Sequence, residues 1–179
     1  LALVTACSPN EPLRIGFIGG LSGTVADLGE AGRDGALLAV EEANAQGGIK
    51  GRRIDLRIFD DAQRAAQAVS AVEALAKERI EAAVGPMTSA MGQAALPVAE
   101  RLGVLLVSPT ITASPLRGRD DQLFLVSPGV AELAQQSAAA LHARRVSRVA
   151  LAYDLRNEEY SRDWILHFRR AFESLGGRG

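Results

Sequence analysis

Two hydrophobic periods alternate along this 179-residue chain, and that alternation constrains its fold more than any other feature. Short apolar runs read as strands: IGFIGG (15–20), RIDLRIF (53–59), EAAVG (81–85) and VLLVS (104–108). Between them lie stretches of helical spacing, within 26–46, near 63–78 and near 89–102. The first of these carries Leu37, Leu38, Val40 and Ala43 amid Glu41 and Glu42, which reads as an amphipathic spacing. Gly47-Gly48 then stops it, since glycine adopts the left-handed conformation of a helix end without penalty. Strand–helix repeats with short links give a parallel sheet covered by helices on both faces, so the fold class is α/β, a Rossmann-like lobe.

After Ser108 the rhythm changes. A loop rich in Pro, Thr, Ser, Gly and Arg runs to Asp121, followed by the short apolar run QLFLVSP (122–128). A helix at 130–143, a strand RVALAY (148–153) and an amphipathic helix at 160–175 resume the pattern. Ser127-Pro128-Gly129 reads as a crossover between lobes. The expected organisation is therefore a remnant and tether over 1–12, a first lobe over 13–126 and the start of a second over 127–179. That last stretch holds too few strands for a sheet core of its own, because independent stability needs three or more. Its apolar positions, among them Leu151, Ile165 and Phe168, are expected to be underpacked.

Composition narrows the function classes. With 20 basic and 21 acidic residues and a net charge of −1, the chain has no electrostatic footprint for nucleic acid. Aromatics at 4% argue against a base-stacking surface. No internal apolar run reaches the ~20 residues of a membrane span. The start, LALVTAC, is apolar and ends on the only cysteine, Cys7. Val4-Thr5-Ala6-Cys7 is similar to a bacterial lipobox, whose cysteine carries lipid after cleavage, and SPNEP behind it suits a solvated tether. No basic stretch precedes it, and ESLGGRG closes just beyond a helix, so the chain reads as a fragment at both ends.

The catalytic inventory is thin. IGFIGGLSG follows a strand, yet its glycines at 16, 19, 20 and 23 do not match G-x-G-x-x-G. The acidic residue at the next strand end, Asp60, lies well past the ~20-residue spacing of a dinucleotide site. There is no Gly-Lys-Ser/Thr loop and no G-x-S-x-G elbow. His142 and His167 sit inside late helices as surface or packing residues. Asp60-Asp61 reads as a solvated turn after a strand, and RNEEY (156–160) as ordinary solvated surface. One terminal cysteine builds no metal site with two distant histidines. No catalytic residue, metal or cofactor is implied.

Two strand ends carry what chemistry there is. VGPMTS (84–89) and VSPTIT (107–112) each stop an apolar run at a proline and then present hydroxyls. In an open parallel sheet the ligand crevice lies at the carboxyl ends of the strands. Thr88 or Ser89 is the natural N-cap of the helix that follows. A carboxylate beside Ser89 meets unpaired N–H groups and the positive end of the helix dipole. Carbonyls of the Ser108–Thr112 loop can accept from an ammonium, and Thr112 can donate and accept. The ends suit a small zwitterion held by neutral groups; the alternative is that the hydroxyls only cap and turn.

IGFIGGLSG, then GALLAVEEANAQGGIKGRRIDL, then DD, VGPMTS and VSPTIT together resemble the branched-chain amino-acid binding proteins, type I periplasmic binding proteins that serve ABC importers. The likeness runs over 14–175, and its most specific part is Asn44 to Gly51, N-A-x-G-G-I-x-G. It implies two lobes joined by a hinge that close over a ligand, with most of the second lobe beyond Gly179. Ser89 matches the residue that holds the ligand carboxylate, Thr112 the one near the amino group and Thr110 the carbonyl beside it. Met87 and Thr88 lend backbone and wall. Leu28 stands where the family often has an aromatic, which implies a reshaped pocket. Tyr160 matches a tyrosine from the second lobe, with Ser161 in place of the family's following glycine. The function so implied is an extracytoplasmic, lipid-anchored solute receptor. It takes an amino acid or analogue, docks on an ABC permease, binds no nucleic acid and has no enzymatic activity. The alternatives are a ligand-sensing domain of a regulator or receptor with this fold and, third, a nucleotide-binding enzyme.

Overall fold

The computed structural model describes residues 11–23 and 26–178; Cys7 and the tether up to residue 10 lie outside the described residues. Five parallel strands form one sheet in the order β2-β1-β3-β4-β5. They are β1 (Leu13–Gly19), β2 (Ile54–Asp60), β3 (Ala82–Val84), β4 (Leu105–Ser108) and β5 (Leu123–Leu125). Helices α1 (Asp27–Ala45), α2 (Ala65–Lys77) and α3 (Ser89–Leu102) connect the first four, and α4 (Val130–Ala143) and α5 (Glu158–Ser174) follow the sheet. The expected α/β lobe is thus present, with its strand–helix order as read.

The main core lies between the sheet and helices α2 and α3. Ile18, Ala83, Leu106 and Leu123 from successive strands meet Val72 and Leu75 of α2 and Ala95, Leu96 and Ala99 of α3. On the other sheet face, Phe17, Val84, Val107 and Phe124 stand side by side in register. Cover on that face thins toward β5: Phe17 is 0% exposed and Phe124 60%. Helix α1 packs on β1 and β2. Gly29 of α1 sits so close to the Gly20 carbonyl that a Cβ would lie 2.0 Å from its oxygen, so only glycine lets the helix start there.

The N-A-x-G-G-I-x-G segment has a structural purpose. Gly47 and Gly48 take positive φ and end α1, as expected. Asn44 braces the strand that follows, its carboxamide bonding both the N–H (2.7 Å) and the carbonyl (3.0 Å) of Ile54. One side chain therefore ties the last turn of α1 to the start of the edge strand.

The C-terminal stretch departs from expectation in two ways. RVALAY does not form a strand: Arg148 makes a single bridge to Arg178, Val149 N–H donates to the Arg178 carbonyl, and 149–154 join no strand among the described residues. A strand exists only through its neighbour, and this run has none. Phe168 is not underpacked either. It is 2% exposed in a second core with Ala134 and Ala138 of α4 and Phe172 of α5. Trp164, Phe168 and Phe172 stack in a row, with ring centroids 4.8 and 5.3 Å apart. Two small residues on α4 let that aromatic row approach closely, so helix-on-helix packing replaces a sheet. Leu151 and Ile165 are half-buried and line a cavity of about 400 Å³.

Candidate functional site

The carboxyl ends of β3 and β4 lie side by side and are tied together. Chain direction changes after β3 at Gly85, whose φ is +109° and whose absent Cβ would meet the Ile18 carbonyl at 2.0 Å. The Gly85–Pro86 peptide is cis. Buried Ser108, at the end of β4, donates its hydroxyl to the Pro86 carbonyl at 2.7 Å, and Thr110 Oγ1 donates to the Met87 carbonyl at 2.6 Å. Ser108 Oγ also accepts from the Ile111 N–H at 3.2 Å. Two turns with short polar side chains thus become one rigid ledge.

Several groups on the ledge are left for something else. Thr88 is 8% exposed, and neither its Oγ1 nor the enclosed Oγ1 of Thr112 has a partner among the described residues. Burying a hydroxyl without a hydrogen bond costs free energy, so two such groups beyond the carboxyl ends of β3 and β4 set this part of the molecule apart. The carbonyls of Ser108, Ile111 and Thr112 are taken by Val126 N–H, Ser127 Oγ and Val130 N–H. Among the described residues, the Thr110 carbonyl is not. Nor, among the described residues, is the Pro109 carbonyl, so the expectation of free loop carbonyls holds at Pro109 and Thr110 and is corrected at the other three.

Ser89 opens α3 and is 2% exposed. Thr88 is the N-cap by its backbone (φ −120°, ψ 152°), yet its side chain makes no capping bond. The cap comes from elsewhere: Asn157 Oδ1 accepts from the Ala90 N–H at 3.2 Å. RNEEY is thus more than solvated surface, and Asn157 is a residue the sequence reading missed. Met87 is buried under this turn. Leu28, on the first turn of α1, is 42% exposed, and Tyr160, on α5, lines the cavity with Asn157, Tyr153 and Trp164. The structure groups Ser89, Thr88, Met87, Thr110 and Thr112 on the ledge, with Leu28 and Tyr160 on the flanking helices.

Asp60 and Asp61 also differ from a plain solvated turn. Asp60 accepts from the Leu21 and Ala62 N–H groups, each at 2.8 Å, and so clamps the glycine-rich turn after β1. Desolvation pushes its carboxyl up, but bonds from the Ser22 hydroxyl and from the Leu21, Ala62 and Ser22 N–H groups outweigh this and hold it below the usual carboxylate range. Asp61 is buried, 1% exposed, with one oxygen unpartnered. Desolvation, with repulsion from Asp60 added, pushes it up despite the bond from Gln63.

A Ser-His-Asp grouping elsewhere invites comparison with a hydrolase. Ser114 Oγ lies 3.4 Å and Asp163 Oδ1 3.2 Å from His167, but both contact the same ring nitrogen, Nε2. A relay needs the carboxylate on one nitrogen and the nucleophile on the other. The cluster is instead a tie: Asp163 accepts from the Ser114 N–H at 2.5 Å and joins α5 to the loop that carries Thr110 and Thr112.

A family model, "Periplasmic binding protein", matches residues 12–179. The chain belongs to the periplasmic binding protein family. It is similar to the Leu/Ile/Val-binding protein of Escherichia coli, 32% identical over 146 residues, covering 80% of this chain and 40% of that protein. A Leu/Ile/Val-binding protein of Rhizobium johnstonii is 40% identical over 135 residues, covering 68% of this chain and 36% of its own. Among solved structures, the branched-chain amino acid transporter substrate binding protein LivJ from Streptococcus pneumoniae, in complex with isoleucine, superposes with a TM-score of 0.85 at 31% identity. That match covers 91% of this chain and 47% of the other. The chain thus spans less than half the length of these periplasmic binding proteins, and the matched part is the parallel-sheet lobe with the helices that follow it.

Proposed function

We propose that this chain forms the ligand ledge of an extracytoplasmic solute receptor. The receptor binds a small amino-acid-like zwitterion without chemistry and presents it to an ABC permease. The observation that carries this reading is the pair of enclosed, unpartnered hydroxyls, Thr88 and Thr112, beside the N-terminus of α3 and the free Thr110 carbonyl. Ser89 and the first-turn N–H groups take the carboxylate; the Thr110 carbonyl and Thr112 hydroxyl take the ammonium. Met87 and Leu28 form wall, and Tyr160 reaches in from the far side. The isoleucine in one similar structure and the names of the curated relatives support an amino acid as ligand. Residues 13–126 act as one lobe and 127–179 as the beginning of a second; ligand bridging the two favours the closed state by its differential affinity. Anchoring through Cys7 belongs to the same reading, supported by the V-T-A-C run and tested by whether Cys7→Ser abolishes fatty-acid labelling.

Calorimetric titration of the full-length gene product with an amino-acid panel tests the site. Ser89→Ala removes a hydrogen bond to a charged group, about 1.5–3 kcal/mol, or roughly tenfold to hundredfold in affinity. Thr112→Val keeps the shape and removes only the hydroxyl. Wild-type affinity in both variants would place the pocket elsewhere.

A further inference from the structure

We propose that the joined ends of α4 and α5 are a docking surface for an acidic segment of a protein partner, with arginines around a hollow that seats one apolar side chain. No acidic residue falls between Glu132 and Asp154, although the whole chain carries a net charge of −1. Arg144, Arg145 and Arg148 follow the end of α4. A parallel bridge brings Arg178 beside Arg148. It is fastened by Arg178 N–H donating to the Ser147 carbonyl at 2.9 Å and by Val149 N–H donating to the Arg178 carbonyl at 3.2 Å. These arginines are exposed, and none pairs with a carboxylate among the described residues. Glu173, in the last turn of α5, pairs with none of them. Arg33, Arg57 and Arg101, by contrast, face carboxylates at 2.7, 3.2 and 3.7 Å.

This arrangement destabilises the free protein. Like charges at paired positions repel. Arg145 has φ +60°, the left-handed conformation that glycine takes more easily. At the matching turn after α5 the residue is Gly176, with φ +87°. The negative ends of the two helix dipoles favour Arg144 and Arg145. They do not account for Arg148 and Arg178, which lie beyond the last turns. Between the helix ends is a cavity of about 280 Å³, lined in part by Val146, Leu175 and Gly177. Guanidinium forks bind carboxylates bidentately, and arginine is enriched among the anchors of protein interfaces. A flat anionic membrane meets the arginines but offers nothing to fill the hollow, so the shape favours a peptide. The surface is also remote from the ledge. α4 starts where Val130 N–H bonds the Thr112 carbonyl, and α5 starts beside Asn157, which bonds the Ala90 N–H. From there the helices run for 14 and 17 residues, which places their far ends about 20–25 Å away. A partner can dock there while the ledge holds its ligand.

The test is fluorescence anisotropy of the full-length gene product with a dye-labelled peptide of two Glu-Glu-Leu repeats. Binding at about 50 mM salt should weaken severalfold at about 200 mM, because exposed charges are screened. Arg148→Glu with Arg178→Glu should weaken it at least about tenfold, since two attractive pairs become repulsive. Arg53→Glu with Lys77→Glu makes the same change of net charge at exposed positions elsewhere and should leave binding nearly unchanged. A peptide with Gly in place of Leu should bind more weakly than the original. Arg145→Gly should raise Tm while weakening the peptide. If the reversed pair does not fold, Arg148→Gln with Arg178→Gln takes its place. The inference is overturned if the reversed pair binds the peptide as wild type does, if the control pair weakens it equally, or if the Gly peptide binds as well. Phosphatidylglycerol vesicles held through the same arginines more tightly than the peptide would overturn it in favour of a membrane. Leucine affinity at the ledge has no bearing on these outcomes, so the two readings stand or fall separately.

Discussion

The sheet with α2 and α3, and the pair α4–α5, bury apolar side chains equally well by different means. In the first, five strands satisfy one another's backbone groups, and every layer of side chains is fixed by register. In the second, Phe168 and Phe172 are as inaccessible as Leu106, yet no sheet lies beneath them. Helices carry their own hydrogen bonds and need only a complementary face, here a row of rings against Ala134 and Ala138. Burial alone therefore does not reveal whether a segment is architecturally complete. The difference shows instead in the run 149–154, whose backbone joins no strand among the described residues.

Truncating one core residue in each region tests that contrast most strongly. Phe168→Ala should cost about 3–5 kcal/mol and Leu106→Ala about 2–5. Hydrogen exchange should show α4 and α5 losing protection in the first variant while β1 to β4 keep theirs; the second should release the whole sheet. Matching exchange patterns would make the molecule one cooperative unit and erase the distinction. A smaller effect is expected at the tie between the regions. Asp163→Ala removes the acceptor of the Ser114 N–H and should cost about 1–3 kcal/mol, with faster exchange at 110–114. If exchange there stays unchanged, the tie is incidental to the ledge.

The smallest effect comes from acid. Asp60 has a folded-state pKa below its unfolded value, so the stability it contributes is present above the unfolded value near 3.8 and is lost as pH falls through the folded one. Lowering the pH across that window should loosen the Leu21 and Ala62 amides while the aromatic row stays protected. Asp60→Asn should flatten the pH dependence at Leu21. Loosening of both regions together would argue against an Asp60 origin.

What the sequence displayed and what it hid follow the range of the interactions. β1 to β4 and α1 to α3 were legible because each writes its own period, and Gly47-Gly48 ends α1 by local backbone chemistry. RVALAY has a strand's composition, but a strand is a relation between two segments, and its partner is not written in it. The burial of Phe168 was missed because α4 and α5 satisfy each other across a turn the pattern does not show. At the site, Ser89 and Thr112 could be placed from strand ends alone. Asn157 could not: its partner is Ala90, and nothing near either residue points to the other. Asp61 looked like half of a solvated pair because its neighbour Asp60 is one.

The hydroxyl ties from Ser108 and Thr110 to the carbonyls of Pro86 and Met87 bear on the thermodynamics of capture. They freeze two turns at the moment of folding, so those torsions hold little entropy for a ligand to remove. Ordering side chains and loops is among the larger costs of association. In the proposed receptor that cost is met when the chain folds, which leaves more of the free energy of ligand contact for affinity.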